Sequence, residues 1–509
     1  MKPWTLMGTT AAAAIMSAHA AFADVTPEQV WTGWKELATS AGQTVTAASE
    51  SREGASLVVK GLSISSTSEG ADASLAIDQV TFTDQGDGSV AVTTSDSYPL
   101  KVRAAGEEGK ADVLTTIEVS HPGLRINVSG TPDEMRYDFT APTLAVKVAG
   151  IESPDPAEVP KDLVAEVTVT ALAGNYIVAA AGDGARSVSS NATADAVSMV
   201  LQGTDTSEPG NASKINAKVT LTQIAGTSTG KSVADMADLA AALKAGMAAE
   251  GNFTYGGATM DMTVAEAAGE TKISSSASGG DVTFAMDAAK LSYGAKARDM
   301  SMTMSGAELP VPQISVAYKE GGFNFAMPLG KSAAPAPFAL GVKLADVTIS
   351  DALWNMFDPG TQLPRDPMTV IVDTTGTATL NVDLMDEKAM AALGDAEPGA
   401  LNSLDIKAVQ VKMAGADVTG SGALTFDNGD LVTYGGFPAP TGTISLKAVG
   451  LNGLMDKLTA MGLVPEDQVM GARMMLGMFA KVVEGEPDTM VSDLEFKDKH
   501  FFANGMQLQ

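Results

Sequence analysis

The chain has 509 residues, with 61 acidic against 33 basic side chains for a net charge of −28, and contains no cysteine. Without cysteine, disulfide frameworks, thiolate nucleophiles, iron–sulfur clusters and Cys-type zinc sites are excluded, and the charge repels phosphate backbones strongly enough to exclude nucleic acid as a partner. Only three histidines are present, and a catalytic triad or histidine metal site would have to use His121 or His500, which reads against most enzymes.

In chain order, Met1-Lys2 is a short basic start and Trp4 to Met16 is apolar or small. Two small-x-small patterns follow, Ala18-His19-Ala20 and Ala21-Phe22-Ala23. This layout predicts a signal peptide over residues 1–23, cleaved after Ala23 and without a lipid-anchoring cysteine. No later stretch is apolar for the ~18 residues a membrane helix needs. The expected location is the periplasm, with no transmembrane helix in the mature chain. High negative charge then serves solubility.

A leading helix is predicted over residues 26–38. Thr26 and Gln29 form a capping box around Pro27, and Val30, Trp31, Trp34, Leu37 and Ala38 fall on one side. The two tryptophans suit a helix that closes the end of a sheet. From Gln43 the period becomes two: LVVKGLSIS (57–65), ASLAIDQVTF (73–82), SVAVTT (89–94), then thirteen further alternating runs. Short Gly- and Asp-rich turns join them, the signature of an antiparallel meander with one buried and one wet face. Asp84, Asp87, Asp427 and Asp430 lie in such turns without completing a calcium loop. His121, in SHPGL, and His500, in KDKH, read as solvated turn residues.

Ala225 to Ser232 (AGTSTGKS) fits the loose pattern of a nucleotide-binding loop. Its preceding strand, Ile215 to Ile224, alternates polar with apolar residues, unlike the fully apolar parallel strand such a loop follows. No downstream strand ends in an apolar run and Asp. The stretch is read as a loop end with Ser232 as N-cap of an inserted helix over 232–249, and no nucleotide is expected. Met300, Met302 and Met304 alternate along one strand, so their thioethers share a face. Soft sulfur ligands suit Cu(I) and make these three a copper candidate, while methionine equally fills a core or lines a groove.

KSAAPAP (331–337) breaks the strand rhythm and reads as a linker between a β-rich part (24–330) and a second β part (338–509). The second part carries predicted helices at 350–357, 452–461 and 465–483, with a short one near 386–393. The last of the three exposes Met470, Met474, Met475 and Met478 along QVMGARMMLGMFAKVV, an adaptable face for apolar ligands or for a core.

SDALWNMFDPGTQLPRDP (350–367), TVIVDTTGTATLNVDLMD, MGLVPEDQVMGARMMLGMFA (461–480) and HFFANGMQL resemble an uncharacterised alphaproteobacterial envelope family, domain of unknown function 2125, and PEQVWTGWKELATSAGQTV is similar too. The resemblance implies export and this build; it implies no catalytic residues and no cofactor. At the level of fold alone, the helix-led, strand-rich layout also resembles AsmA-like envelope proteins. The expected fold is mainly β, a long curved antiparallel meander with a few capping α-helices. The expected role is a non-enzymatic envelope protein that binds or passes lipid or another apolar ligand along the sheet. The alternatives are a structural envelope protein without ligand and a copper binder. The groove candidates are Met300, Met302, Met304, Trp354, Phe357, Met474, Met478 and Phe479, all of which suit an ordinary core equally well.

Overall fold

The computed structural model describes residues 25–68, 70–105, 112–154, 159, 161–182, 184–205, 212–233 and 238–509. The predicted leader over residues 1–23 lies outside them. The chain is mainly β: the described residues form 27 strands and six short helices, α1 to α6. It divides into two units, residues 1–274 and 275–509. Among the described residues, no helix is long and apolar enough to cross a membrane.

In the first unit, α1 (Pro27–Ser40) starts at the capping box: Thr26 Oγ1 accepts from the Gln29 amide at 3.3 Å, and Gln29 Oε1 accepts from the Thr26 amide at 2.8 Å. Its apolar side buries Val30 and Trp31 on the sheet. Trp31 and Trp34 stand 5.9 and 5.2 Å from the ring of Phe82, which is fully buried with Val59, Val80, Val90 and Val128. Full burial of each such side chain stabilises the fold by roughly 1.5–3 kcal/mol, so this cluster anchors the unit. Beyond it run three 20-residue strands, Lys161–Ala180, Arg186–Asp205 and Ser213–Ser232, paired antiparallel with each other.

Several strands contain a residue at positive φ: Gly61 (59°), Ala171 (52°), Gln223 (52°), Asp299 (45°) and Asp346 (54°). Around each, the apolar rhythm changes from every second residue to a single step of three: Val59 to Leu62, Val169 to Leu172, Leu221 to Ile224, Ala297 to Met300, Leu344 to Val347. Val59 and Leu62 lie in the same buried cluster, so the left-handed residue advances the side-chain alternation by one and keeps both on one face. The breaks are matched between neighbours. Ladder pairing is interrupted at Ala171, Asp195 and Gln223 on three adjacent strands, and resumes in unchanged register.

In the second unit, the meander runs from Gly279–Met286 through Lys290–Gly306, Gln313–Pro328, Ala336–Ile349, Met368–Leu380, Gly399–Met413, Ala416–Asp427 and Ala439–Val449 to Thr489–Lys497. A small core of Trp354, Leu363 and Ala414 gathers Ile349, Met368, Leu454, Leu458 and Met461 around it.

Several expected elements are corrected. The 232–249 helix shrinks to α2 (Leu239–Lys244), capped by Asp238 and not by Ser232, with residues 234–237 outside those described. Ser232 ends a strand instead, and Gly246, at φ 98°, turns the chain into the Ala248–Tyr255 strand. Ala225–Ser232 is likewise no loop. It pairs with Arg186–Thr193 on one side and Ala248–Thr254 on the other, so its amides belong to ladders and form no cradle. The 350–357 helix is α3 (Asp351–Trp354) followed by a turn, and α4 is Glu387–Leu393. The 452–461 helix is α5 (Leu451–Ala460). The 465–483 helix is α6 (Glu466–Phe479), which stops because Lys481 and Val482 pair with Val491 and Met490. KSAAPAP joins the neighbouring strands Gln313–Pro328 and Ala336–Ile349, which pair with each other, so it is a hairpin connection that ends inside a strand. His121 is no solvated turn residue. It is 3% exposed, with its ring against Tyr98 at 5.2 Å. His500 is exposed, as expected.

Candidate functional site

Directly opposed residues of an antiparallel ladder point to the same side, so the register of the second unit assigns each side chain a face. One row runs Phe284, Tyr293, Phe325, Leu340, Thr374, Ile406. The next runs Val282, Ala295, Phe323, Val342, Val372, Val409, and a third Ala297, Gly321, Leu344, Val370, Val411, Val418. The intervening rows carry Asp281 and Lys296, Arg298 and Glu320, and Lys412 and Asp417. One face is therefore apolar across these strands and the other charged and polar.

The apolar face is not sealed. Phe284, Tyr293, Phe323, Leu340, Leu344, Val370 and Val411 are each 38% to 42% exposed. Tyr293 and Phe323 lie diagonally opposed with ring centroids 6.5 Å apart and planes tilted by 44°, in the manner of a cross-strand aromatic pair. A row of such side chains presents aliphatic and aromatic surface with almost no polar group, which suits a flexible hydrocarbon and offers nothing to a charged substrate.

The methionines predicted from the sequence continue this pattern beyond Asp299. Met300 opposes Tyr318, Met302 opposes Val316, and Met304 opposes Ile314, all half-buried on one face as alternation requires. Val316 opposes Ile349 in turn, and Ile349 packs on the Trp354 core, so the methionine row abuts that core. Trp354 itself is 4% exposed and belongs to the core, with Phe357 exposed against it at 4.9 Å. Met474 and Met478 lie exposed on α6, and the ring of Phe479 lies 6.3 Å from Phe501. The eight candidates thus form two groups. Three methionines, Trp354 and Phe357 sit at one edge of the sheet face, and α6 joins the C-terminal aromatic group through Phe479, with Met474 and Met478 exposed on it.

Perturbed acids elsewhere have local structural causes. Asp358, fully buried, is raised by burial, but amide donors from Gln362 and Leu363 (2.9 Å each) and the charges of Arg365 and Lys457 outweigh this and hold it below the usual range. That carboxylate, with Arg365 bound to Asp351 and Asn355, knots the SDALWNMFDPGTQLPR segment into the fold. Asp430 is lowered by Lys499 and by the hydroxyl and amide of Thr433, and Asp299 by the Ser278 hydroxyl. Asp84 and Asp427 accept amides two residues on, the chemistry of their hairpin turns. Among the described residues, no group of three or more His, Asp or Glu side chains is placed to hold a metal ion.

A search of curated proteins gives no match. Structural comparison pairs the chain with the crystal structure of BauA, the ferric preacinetobactin receptor from Acinetobacter baumannii, at 10% identity over 91% of this chain and 76% of that one. The TM-score is 0.16, too low to carry an argument. The profile of a bacterial family described as uncharacterized, DUF2125, matches residues 213–504. With more than half of its length matched, including the whole apolar face just described, the chain belongs to the DUF2125 family.

Proposed function

We propose that this protein is an exported, periplasmic, non-enzymatic envelope protein that binds the acyl chains of lipid along the apolar face of its second unit. The observation that carries the reading is the group of half-exposed side chains on adjacent rows, Tyr293, Phe323, Leu340 and Leu344, set on a sheet whose other face is charged. A contiguous apolar surface left open in this way marks a binding surface. The predicted leader gives the compartment, and the looser likeness to AsmA-like envelope proteins belongs to the same proposal.

The test is chemical. The protein is purified without detergent from its native compartment, extracted with organic solvent, and its lipids are identified by mass spectrometry against a mock purification. Stoichiometric phospholipid or fatty acid is the expected result. A clean extract, repeated after incubation with lipid vesicles, refutes lipid binding and leaves a structural envelope protein.

A further inference from the structure

The six most exposed large apolar side chains among the described residues all lie in one short stretch of sequence: Val432 (90%), Val482 (75%), Phe437 and Met474 (69% each), Met470 (64%) and Met475 (60%). They lie on the 428–438 loop, on α6 and on the two-residue strand Lys481–Val482 that follows it, all fixed to the same C-terminal hairpin, Thr489–Lys497 with His500–Ala503. The 428–438 loop is held there by Lys499 Nζ on Asp430 Oδ2 at 2.6 Å, by Gln509 Nε2 donating to the Thr433 carbonyl at 3.3 Å, and by the Tyr434 ring 6.2 Å from Phe496. The end of α6 is held by Asn504 Nδ2 and Ser492 Oγ, which donate to the Phe479 carbonyl at 2.8 and 2.5 Å. Phe496 and Phe501, stacked at 4.9 Å, join the two anchorages.

We propose that this end of the second unit seats on the surface of a phospholipid bilayer with zwitterionic headgroups, inserting the tip of the 428–438 loop and the methionine side of α6. Three observations select a bilayer. The loop pairs much of its own backbone: the amides of Gly435, Gly436 and Phe437 donate to the carbonyls of Val432, Leu431 and Tyr434, and Asp430 is engaged by Val432, Thr433 and Lys499, which leaves the Tyr434 hydroxyl, buried beneath the tip, as its one side-chain group without a partner. A tip without a free charge can leave water, whereas an unpaired charge bars that step. The exposed charges of residues 481–499 carry both signs, Lys481, Lys497 and Lys499 with Glu484, Glu486 and Asp498, which fits a zwitterion, and the chain's charge of −28 disfavours an anionic surface. The patch is also continuous with the apolar face. The Phe284 to Ile406 row passes through Gly422, Ile444 and Leu494 to Ala503 and Met506, so apolar surface leads from sheet to patch.

The inference goes beyond acyl-chain binding on the sheet and fails separately from it. Flotation of the full chain with dioleoylphosphatidylcholine vesicles is the measurement. The wild type floats. Val432→Asp with Phe437→Asp, and separately Met474→Asp with Val482→Asp, reduce the floated fraction by about tenfold or more, because each removes exposed apolar area worth that factor. Since all four side chains are exposed, thermal unfolding by circular dichroism stays near wild type, which separates lost docking from lost fold. Phe323→Asp, on the sheet face, floats like the wild type. The proposal is overturned if the wild type stays in the dense fraction, if both double variants float undiminished, or if flotation needs phosphatidylglycerol. It is also overturned if the wild type does not float and light scattering shows a dimer that the variants abolish, since the patch then covers a second copy.

Discussion

Replacing Phe323 by Ala separates an open apolar face from a closed core. The ring is 42% exposed. Burying a Phe fully is worth about 2–3 kcal/mol, so its covered part contributes roughly 1–1.5 kcal/mol to the fold and its open part about 1 kcal/mol to a ligand lying on it. The lipid-free variant should lose about 1 kcal/mol in chemical denaturation, whereas Phe82→Ala, with its ring fully buried, should lose about 3–5 kcal/mol. Displacement of a fluorescent fatty acid should show affinity reduced roughly fivefold to tenfold by Phe323→Ala, with Phe82→Ala leaving affinity unchanged wherever it remains folded. A loss of stability near 3 kcal/mol at Phe323, or an unchanged fatty-acid affinity, refutes the assignment of this row as an open binding face.

Burial of His121 lowers its pKa from 6.5, outweighing the opposing effect of the Asp96 charge. A lowered folded value means the neutral ring is favoured in the fold, so its contribution is complete above the ordinary pKa and is lost as pH falls through 6.5 toward the folded value. Denaturation midpoints should decline over that interval, and His121→Phe should remove this part of the slope. Asp488 accepts from the Asn452 and Gly453 amides at 3.2 and 2.9 Å and from Asn452 Nδ2 at 2.9 Å, at the start of α5. Asp488→Ala should destabilise the second unit by about 1–2 kcal/mol, seen as earlier proteolysis around α5. At Gln223, whose φ of 52° strains a side chain, Gln223→Val should cost about 1–2 kcal/mol more than Gln223→Gly in thermal unfolding. Replacing Met300, Met302 and Met304 together by Leu should leave stability within about 1.5 kcal/mol of wild type per site, because volume and apolarity are kept.

The strand rhythm was legible because alternation is a local property: Leu57 to Ser65 and Ala73 to Phe82 each declare a half-buried strand without reference to any neighbour. The shared face of Met300, Met302 and Met304 was legible for the same reason. Trp354 was not, since the core that closes over it needs Ala414 and Leu454, remote in sequence, beside the nearby Leu363. The row through Tyr293, Phe325 and Leu340, and the next through Ala295, Phe323 and Val342, need the register of two successive strand pairs before their members align, so no single run announced them. His121 looked like a turn residue and stands at one, but Tyr98 arrives from another strand to cover it. Helix length was overread around Ser232 and Val482 because alanine- and methionine-rich runs suit a helix, whereas ladder partners at Arg186 and Met490 decide for strand. One signal was present and readable: the change from steps of two to a step of three at Leu221 and Ile224 marks the left-handed residue between them.

Those matched breaks in the ladders constrain how the long strands can change in descent. A one-residue deletion between Gln223 and Ser232 would move Gly226, Ser228 and Gly230 to the opposite side while Leu221 stayed in place, exchanging the wet and dry surfaces of half a strand. The same loss at Gln223 itself would leave Asp195 and Ala171 with interruptions facing an unbroken neighbour. Lineages of this fold should therefore lengthen or shorten these strands in even steps, or remove a break from adjacent strands together. Turns such as Gln85-Gly86-Asp87-Gly88 carry no such rule and are free to vary one residue at a time.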